Sequence, residues 1–389
     1  MEVQDKILEM ESVRGRNHDL LLFREWLDTY LPEHRYLNKI QVGGTNGKGS
    51  TSKWLTTFLK NAGFTTGMFT SPHLVSHMER IQVDQENISS ADWERIYDTW
   101  YNFFKEKQMT MFEMDLWMAL VYFIEKKVNV AILEVGMGGR LDATTALDYQ
   151  ATLITNVGMD HKEYLGDTIE QIAFEKSGIF KPNAIALTTE TNPVCQKVME
   201  QVADYMDVML GFVTMPAVQK TGAGYEFMYD GTTYCVQVPE YQLNNMILAL
   251  ETLMVLGYPL TKEGIERSLK KFTWLGRFTV LKEEPLVLID GAHNVPGITA
   301  LVKSLSSFDG HIYFSVLKEK EAAEMLSILK TLVCPITLVS IESERMFPLE
   351  TLGLPIVSVD TVVEKIKTTE EKMLLCGSLY FVGEVFEKL

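Results

Sequence analysis

Gly43-Gly-Thr-Asn-Gly-Lys-Gly-Ser50 decides how the rest of the chain is read. It follows the short apolar run Lys39–Val42, which predicts a strand, and precedes Ser50–Ala62, which reads as a helix. Glycines let the backbone curl until successive N–H groups face one point, and the helix N-terminus adds its positive end there. A polyphosphate suits such a cradle. Lys48 can reach its outer phosphates, and Ser50 stands where a phosphate-loop hydroxyl would meet a metal ion. The loop is tighter than the general GxxxxGK[ST] pattern, so it is not a standard Walker A. The competing reading is a glycine-rich turn carrying a solvated lysine.

Outward from this loop the chain alternates short β-branched runs with longer amphipathic stretches, the pattern of a parallel sheet covered by helices. Val128–Val135 and Ala151–Val157 predict further buried strands, with helical periodicity over Met114–Lys127 between them. Asn244–Leu256 predicts a helix stopped by Gly257 and Pro259. A second alternating set starts near Pro285: strand Leu286–Asp290, helix Pro296–Ser307, strand His311–Val316, helix Glu319–Leu332, strand Ile336–Ile341 and the final Met373–Leu389. With 389 residues two domains are expected. Trp274-Leu-Gly-Arg-Phe-Thr-Val-Leu281 is the joint, giving domains 1–277 and 278–389.

Composition narrows the function. Hydrophobic residues at 46% and charged residues at 23% fit a globular protein, and a net charge of −16 argues against a nucleic-acid partner. Cys195, Cys235, Cys334 and Cys376 lie far apart without a CxxC pair, which favours free thiols over a zinc knuckle or disulfide scaffold. The start of the chain lacks a signal-peptide pattern, and no apolar run is long enough to cross a bilayer, so the expected compartment is the cytoplasm.

Three more segments end predicted strands on the edge where open α/β sheets bind ligands. In Leu133-Glu-Val-Gly-Met-Gly-Gly-Arg-Leu-Asp-Ala143, Glu134 would enter the crevice beside the phosphate loop, a placement that suits Mg²⁺. The glycines alone would fit any tight turn. His161, in Asp160-His-Lys, is placed to ligate a metal, although a lone loop histidine is more often structural. Asp290 and His293, in Ile289-Asp-Gly-Ala-His-Asn294, end the first strand expected in the second domain and suit either a nucleotide lid or a capped turn. Spacing alone makes Lys176 an exposed helix lysine.

Taken in order, GTNGKGS (44–50), TSPHL (70–74), ERI (79–81), FE (112–113), EVGMGGRLDAT (134–144), DHKEYLGDTIEQIAFEKSGIFKP (160–182), GRF (276–278), DGAHN (290–294) and GSLYFVGEV (377–385) resemble the folylpolyglutamate synthase/dihydrofolate synthase family of the Mur ligase superfamily. The resemblance implies a P-loop Mur-ligase-type central domain and a smaller Rossmann-like C-terminal domain that closes over ATP. It also implies roles. Asn46, Gly47, Lys48, Gly49 and Ser50 would hold phosphates, with Asn245, Arg277, Asp290 and His293 on the nucleotide. Ser71, Glu134 and His161 would ligate Mg²⁺. Lys176 matches a carbamylated lysine able to bind a second ion, which overturns the exposed-lysine reading; Lys48, His161 and Lys176 would act in catalysis. Thr110, Met111 and Phe112, with Leu141, Asp142 and Ala143, match segments that touch the pterin-bearing substrate.

The implied activity is ATP-dependent addition of L-glutamate to folate through an acyl phosphate, with dihydropteroate as a second acceptor and a monomer as the expected state. Two departures bear on substrate choice. His77-Met78 stands where the family has Phe-Asn, and Arg14 to Tyr36 matches poorly. Alternatives are a Mur-type amide ligase acting on another carboxylate and a nucleotide-binding paralogue without ligase activity.

Overall fold

A computed structural model describes residues 2–13, 18–222, 224–305 and 308–389. The first four residues of the poorly matching segment and the last two of the helix predicted over 296–307 lie outside the described residues. The chain divides into two compact units, Met1–Gln237 with Asn244–Phe272, and Val238–Leu243 with Thr273–Leu389.

The first unit is built on β1 (Asn38–Gly43), β2 (Thr66–Phe69), β3 (Ile81–Val83), β4 (Glu86–Asn87), β5 (Val130–Glu134), β6 (Ala151–Ile154), β7 (Ile185–Thr188) and β8 (Met209–Phe212), in the spatial order β4-β3-β2-β5-β1-β6-β7-β8. All neighbours from β2 to β8 run parallel, and β3 and β4 add an antiparallel edge. The central strands explain the choice. β5 reads Val-Ala-Ile-Leu-Glu and is buried along its whole length, as a parallel strand covered on both faces must be. Helix Lys48–Asn61 packs over β1, β2 and β5 with Trp54, Leu55, Phe58 and Leu59 buried. Helix Met111–Glu125 is buried continuously from Glu113 to Phe123, which explains why its period is weak: it has no wet face to alternate with.

Register fixes the site. Val42 lies opposite Glu134 on one side of β1, and Gly43 opposite Ile154 on the other, so three strand ends are flush. A separate three-stranded antiparallel sheet, β9 (Val218–Thr221), β10 (Gly224–Tyr229) and β11 (Thr232–Val236), completes the unit with the helix Tyr241–Val255 from Asn244 onward and the helix Lys262–Lys271.

The second unit holds β12 (Thr279–Lys282), β13 (Val287–Ile289), β14 (His311–Phe314), β15 (Ile336–Ser340), β16 (Ile356–Ser358) and β17 (Met373–Cys376), ordered β12-β13-β17-β14-β15-β16. Only the β12–β13 pair is antiparallel. Two expectations change here. The first strand of this unit is β12, not the strand ending at Asp290, because Thr279–Lys282 pairs with β13 where the sequence reads as a joint. The division falls between Phe272 and Thr273, earlier than 277, because the turn after Trp274 is bonded to Asp290 and Gly291 of this unit.

Candidate functional site

Backbone conformation makes the phosphate loop. Gly44 and Gly47 take φ of +137° and +85°, values that side chains disfavour, and Gly47 opens the helix Lys48–Asn61. The loop is laced to the segment after β6. Thr45 N–H donates to the Asn156 carbonyl (2.9 Å) and Asn46 N–H to Asn156 Oδ1 (3.0 Å). Thr155 Oγ1 and Asn156 Nδ2 both donate to the Asn46 carbonyl, at 2.6 and 3.0 Å. Asn245 reaches the loop from the helix Tyr241–Val255: a Cβ on Gly47 would lie 2.3 Å from its Oδ1. Asn46, Gly47, Lys48, Gly49, Ser50 and Asn245 are thus gathered at one strand end.

Lys176 joins them, and it is not exposed. Its side chain comes from the last turn of helix Ile169–Ser177, is 4% exposed, and donates from Nζ to the Gly44 carbonyl at 3.0 Å. Lys48 Nζ contacts the same carbonyl at 3.3 Å. Burial first, and then the Lys48 charge, push the Lys176 amine down to about 7, against an opposing pull from Asp160. Spacing could not reveal this burial, because the residues that cover Lys176 are distant in sequence.

Glu134 ends β5 and is buried, accepting from Ser71 N–H at 3.3 Å. His161 sits in the left-handed region (φ +52°) after β6, with its side chain 44% exposed. Among the described residues no three His, Cys, Asp or Glu side chains are grouped to hold a metal ion. The expected set contains only two of those types, so its remaining donors are the Ser71 hydroxyl, a modified Lys176 and oxygens of a bound nucleotide. The buried Glu134 carboxylate, beside the strand end that carries the glycine-rich loop, suits a hard cation.

The segments matched to the pterin-bearing substrate are neighbours. Thr110 caps the helix Met111–Glu125, and Phe112 lies against Gly136, where a Cβ would come within 2.7 Å of its ring. Leu141 is exposed and Ala143 fully buried. Asp142 is spent on its own turn: its oxygens accept from the N–H groups of Gly136, Met137 and Thr144 and from the Thr144 hydroxyl. Burial raises its pKa against those bonds.

In the second unit, Arg277, Asp290 and His293 form their own group. Arg277 lies over Gly291, whose added Cβ would meet Nη1 at 2.2 Å, and His293 Nδ1 donates to the Gly291 carbonyl at 2.8 Å. Asp290, 3% exposed, accepts from Tyr241 Oη (2.5 Å), Phe278 N–H (2.8 Å) and Ala292 N–H (2.8 Å). Phe278 is held at φ +49°, a costly backbone for a bulky residue, directly after Arg277. Tyr241 and Asp290 therefore brace the arginine turn, and sequence reading missed Tyr241 because nothing local links it to Asp290. Tyr241→Phe is expected to lower stability by about 1.5–3 kcal/mol, the value of a buried hydrogen bond to a charged group. The urea unfolding midpoint measures this, and an unchanged midpoint would mean that Asp290 is satisfied without the phenol.

Among the described residues no helix is long and apolar enough to cross a membrane. The Mur ligase middle domain model matches residues 42–249. The dihydrofolate synthase/folylpolyglutamate synthase of Bacillus subtilis (strain 168) is 30% identical over 403 residues, covering 92% of this chain and 91% of that protein. The bifunctional folylpolyglutamate synthase/dihydrofolate synthase of Yersinia pestis, solved with AMPPNP and Mn, superposes with a TM-score of 0.90 at 27% identity over 100% of this chain and 98% of that one. A further structure of a bifunctional folylpolyglutamate synthase/dihydrofolate synthase, with Mn, AMPPNP and L-glutamate bound, gives a TM-score of 0.89 at 27% identity, covering 100% of this chain and 98% of that one. A relative matched across nine-tenths of both sequences, and a middle-domain match over the loop, Glu134, His161, Lys176 and Asn245, carry one conclusion: the chain belongs to the folylpolyglutamate synthase/dihydrofolate synthase family of Mur-type ligases.

Proposed function

We propose that the chain is an ATP-dependent ligase that adds L-glutamate to a folate, and also to dihydropteroate, through an acyl phosphate. The observation that carries the reading is the Lys176 amine, buried against the Gly44 carbonyl of the phosphate loop and pushed down to about 7. A protein that only bound nucleotide would not need a second, desolvated lysine there. Family membership and relatives that hold AMPPNP, Mn and L-glutamate support the same reading.

The chemistry starts from an inert carboxylate. Its oxygen attacks the γ-phosphorus, an O–P bond forms, and the bond to the β-phosphate oxygen breaks to release ADP. The glutamate amine then attacks the acyl carbon, the C–O bond to phosphate breaks, and loss of a proton from nitrogen leaves the amide. Loop N–H groups from Asn46 to Gly49 orient the phosphates, and Lys48 offsets charge as it builds on the transferring group. In this proposal Ser71, Glu134 and His161 hold one Mg²⁺, and a carbamylated Lys176 takes a share in a second. When bound, these ions lower the repulsion between the two anions. Asn245, Arg277, Asp290 and His293 serve the nucleotide, Asp290 by bracing Arg277. Thr110, Met111, Phe112, Leu141, Asp142 and Ala143 shape the acceptor pocket. The protein is taken to act as a monomer in the cytoplasm.

Purified protein with Mg²⁺, ATP and L-glutamate tests the reading when offered tetrahydrofolate, dihydropteroate or no acceptor. Acceptor-dependent ADP release, with a product heavier by one glutamyl unit from both acceptors, is the expected result. Product from tetrahydrofolate alone would restrict the activity to polyglutamylation. ATP binding without glutamylated product from either would remove the folate assignment.

A further inference from the structure

The loop after β2 carries a chain of polar contacts that the roles above leave unused. Asp115, fully buried in the helix Met111–Glu125, accepts from Arg80 Nη1 at 3.1 Å and is bonded to His77 Nε2 at 2.7 Å. Arg80 Nε in turn donates to His73 Nδ1 at 3.0 Å. A guanidinium has donors only. His73 Nδ1 must therefore present its lone pair, which excludes both the Nδ1–H tautomer and the imidazolium. The proton is fixed on Nε2.

The backbone around this ring is fixed as well. Glu79 accepts from the N–H groups of Leu74, Val75 and Ser76, at 2.8, 3.0 and 2.8 Å. On the other side, Ser71 N–H donates to Glu134. Arg80 is already neutralised by Asp115, so it does not require an imidazole. Among the described residues His73 Nε2 has no protein partner.

Sheet order says what lies within its reach. β5 separates β2 from β1, so the loop leaves the sheet two strand spacings, roughly 10 Å, from the strand that carries the phosphate loop. Phe69, at the end of β2, is opposite Leu133, and its ring centroid is 5.4 Å from that of Phe112. His73 thus belongs to the acceptor side of Glu134.

We propose that His73 is a catalytic residue whose Nε2–H donates to the reacting carboxylate of the acceptor, with Arg80 as the positioning residue that sets its tautomer. The assignment rests on the ligase reading. A fixed neutral donor holds one carboxylate oxygen while the other attacks phosphorus, and it does not compete as a nucleophile.

Two amides separate this role from that of a strut for Arg80. In His73→Asn the side-chain oxygen replaces Nδ1 and keeps Arg80 bonded, but the Nε2 donor is gone. In His73→Gln the side-chain amide reaches the Nε2 position and restores a donor. Steady-state ligation with tetrahydrofolate, and ATP affinity measured without acceptor, are compared for both. His73→Asn is expected to lose about 10- to 100-fold in kcat/KM for the acceptor, the worth of one hydrogen bond to a charged group, with ATP affinity unchanged. His73→Gln is expected to recover most of that loss. The reverse pattern, equal losses in both, or weakened ATP binding in His73→Asn overturns the proposal. Nitrogen-15 spectra of histidine-labelled wild type give an independent reading: an Nε2-protonated His73 supports it, and an Nδ1-protonated one overturns it even if a variant fails to fold. Absence of glutamylated product from wild type would count against the ligase reading, and the tautomer would still test this one.

Discussion

Lys176→Ala is expected to lower ligation by about two to three orders of magnitude, the usual cost of removing one group that stabilises transition-state charge, while ATP affinity changes by less than about threefold. The asymmetry comes from position. Lys176 Nζ bonds the Gly44 carbonyl of the loop, whereas the proposed phosphate contacts are the N–H groups from Asn46 to Gly49. Carbamylation needs a neutral amine and CO₂. At pH 7 a lysine at its ordinary value of 10.5 is neutral in about one molecule in three thousand, and Lys176, pushed down to about 7, in about half. Mass measurement of intact protein under bicarbonate, together with single-turnover ADP formation, checks both halves. Ligation at the wild-type rate by Lys176→Ala would remove the lysine from the mechanism.

The same burial sets a pH dependence for the unmodified amine. An unfolded lysine holds its proton to about 10.5 while the folded Lys176 loses it near 7, so the unfolded state binds more protons between these values. Stability then rises with pH across that window, and below pH 7 the folded state carries the full cost of a buried ammonium. Lys176→Met removes that cost. It is expected to be more stable than wild type at pH 6, by an amount on the order of a few kcal/mol, and the gap should close toward pH 10. Denaturant midpoints at the two pH values read it directly. A buried lysine that weakens its own fold is the expected signature of a residue kept for chemistry, as proposed for Lys176.

How much of this was legible depended on whether the determinant was local. The strand–loop–helix at residues 39–62 could be read directly, since glycines with positive φ and a following helix are written in adjacent residues. β5 and β6 were legible because buried parallel strands are continuous apolar runs. β2, Thr-Gly-Met-Phe, was not: four residues containing a small and a polar one carry no period, and pairing with β5 and β3 makes them a strand. β9, β10 and β11 are half-exposed and mixed in composition, so they gave no signal either. Candidate site residues divide in the same way. Glu134 and His161 follow strands and could be placed. The burial of Lys176, the Tyr241–Asp290 brace and the Asp115–Arg80–His73 chain join residues from separate elements, which no spacing rule encodes. Resemblance supplied Lys176; geometry supplied Tyr241 and His73.

Gly47→Ala is expected to abolish measurable ATP binding at concentrations that saturate wild type, and Gly63→Ala, a matched control, to leave it unchanged. Both glycines are left-handed, with φ of +85° and +89°, so both substitutions carry the same backbone strain of about 1–2 kcal/mol. Their surroundings differ. Among the described residues, nothing beyond its chain neighbours lies within 4 Å of a Cβ placed on Gly63, whereas on Gly47 it would sit 2.3 Å from Asn245 Oδ1 and 3.0 Å from its Cγ. That overlap has to be relieved by moving Asn245 or the loop, and each is a proposed nucleotide contact. Isothermal titration with ATP and Mg²⁺ and a thermal melt separate the two terms. Comparable loss of stability in both variants, with loss of binding only in Gly47→Ala, assigns the effect to the Asn245 contact. Equal binding in both would mean that the loop tolerates a side chain at its tightest point, and the close approach of Asn245 would then have no part in holding the nucleotide.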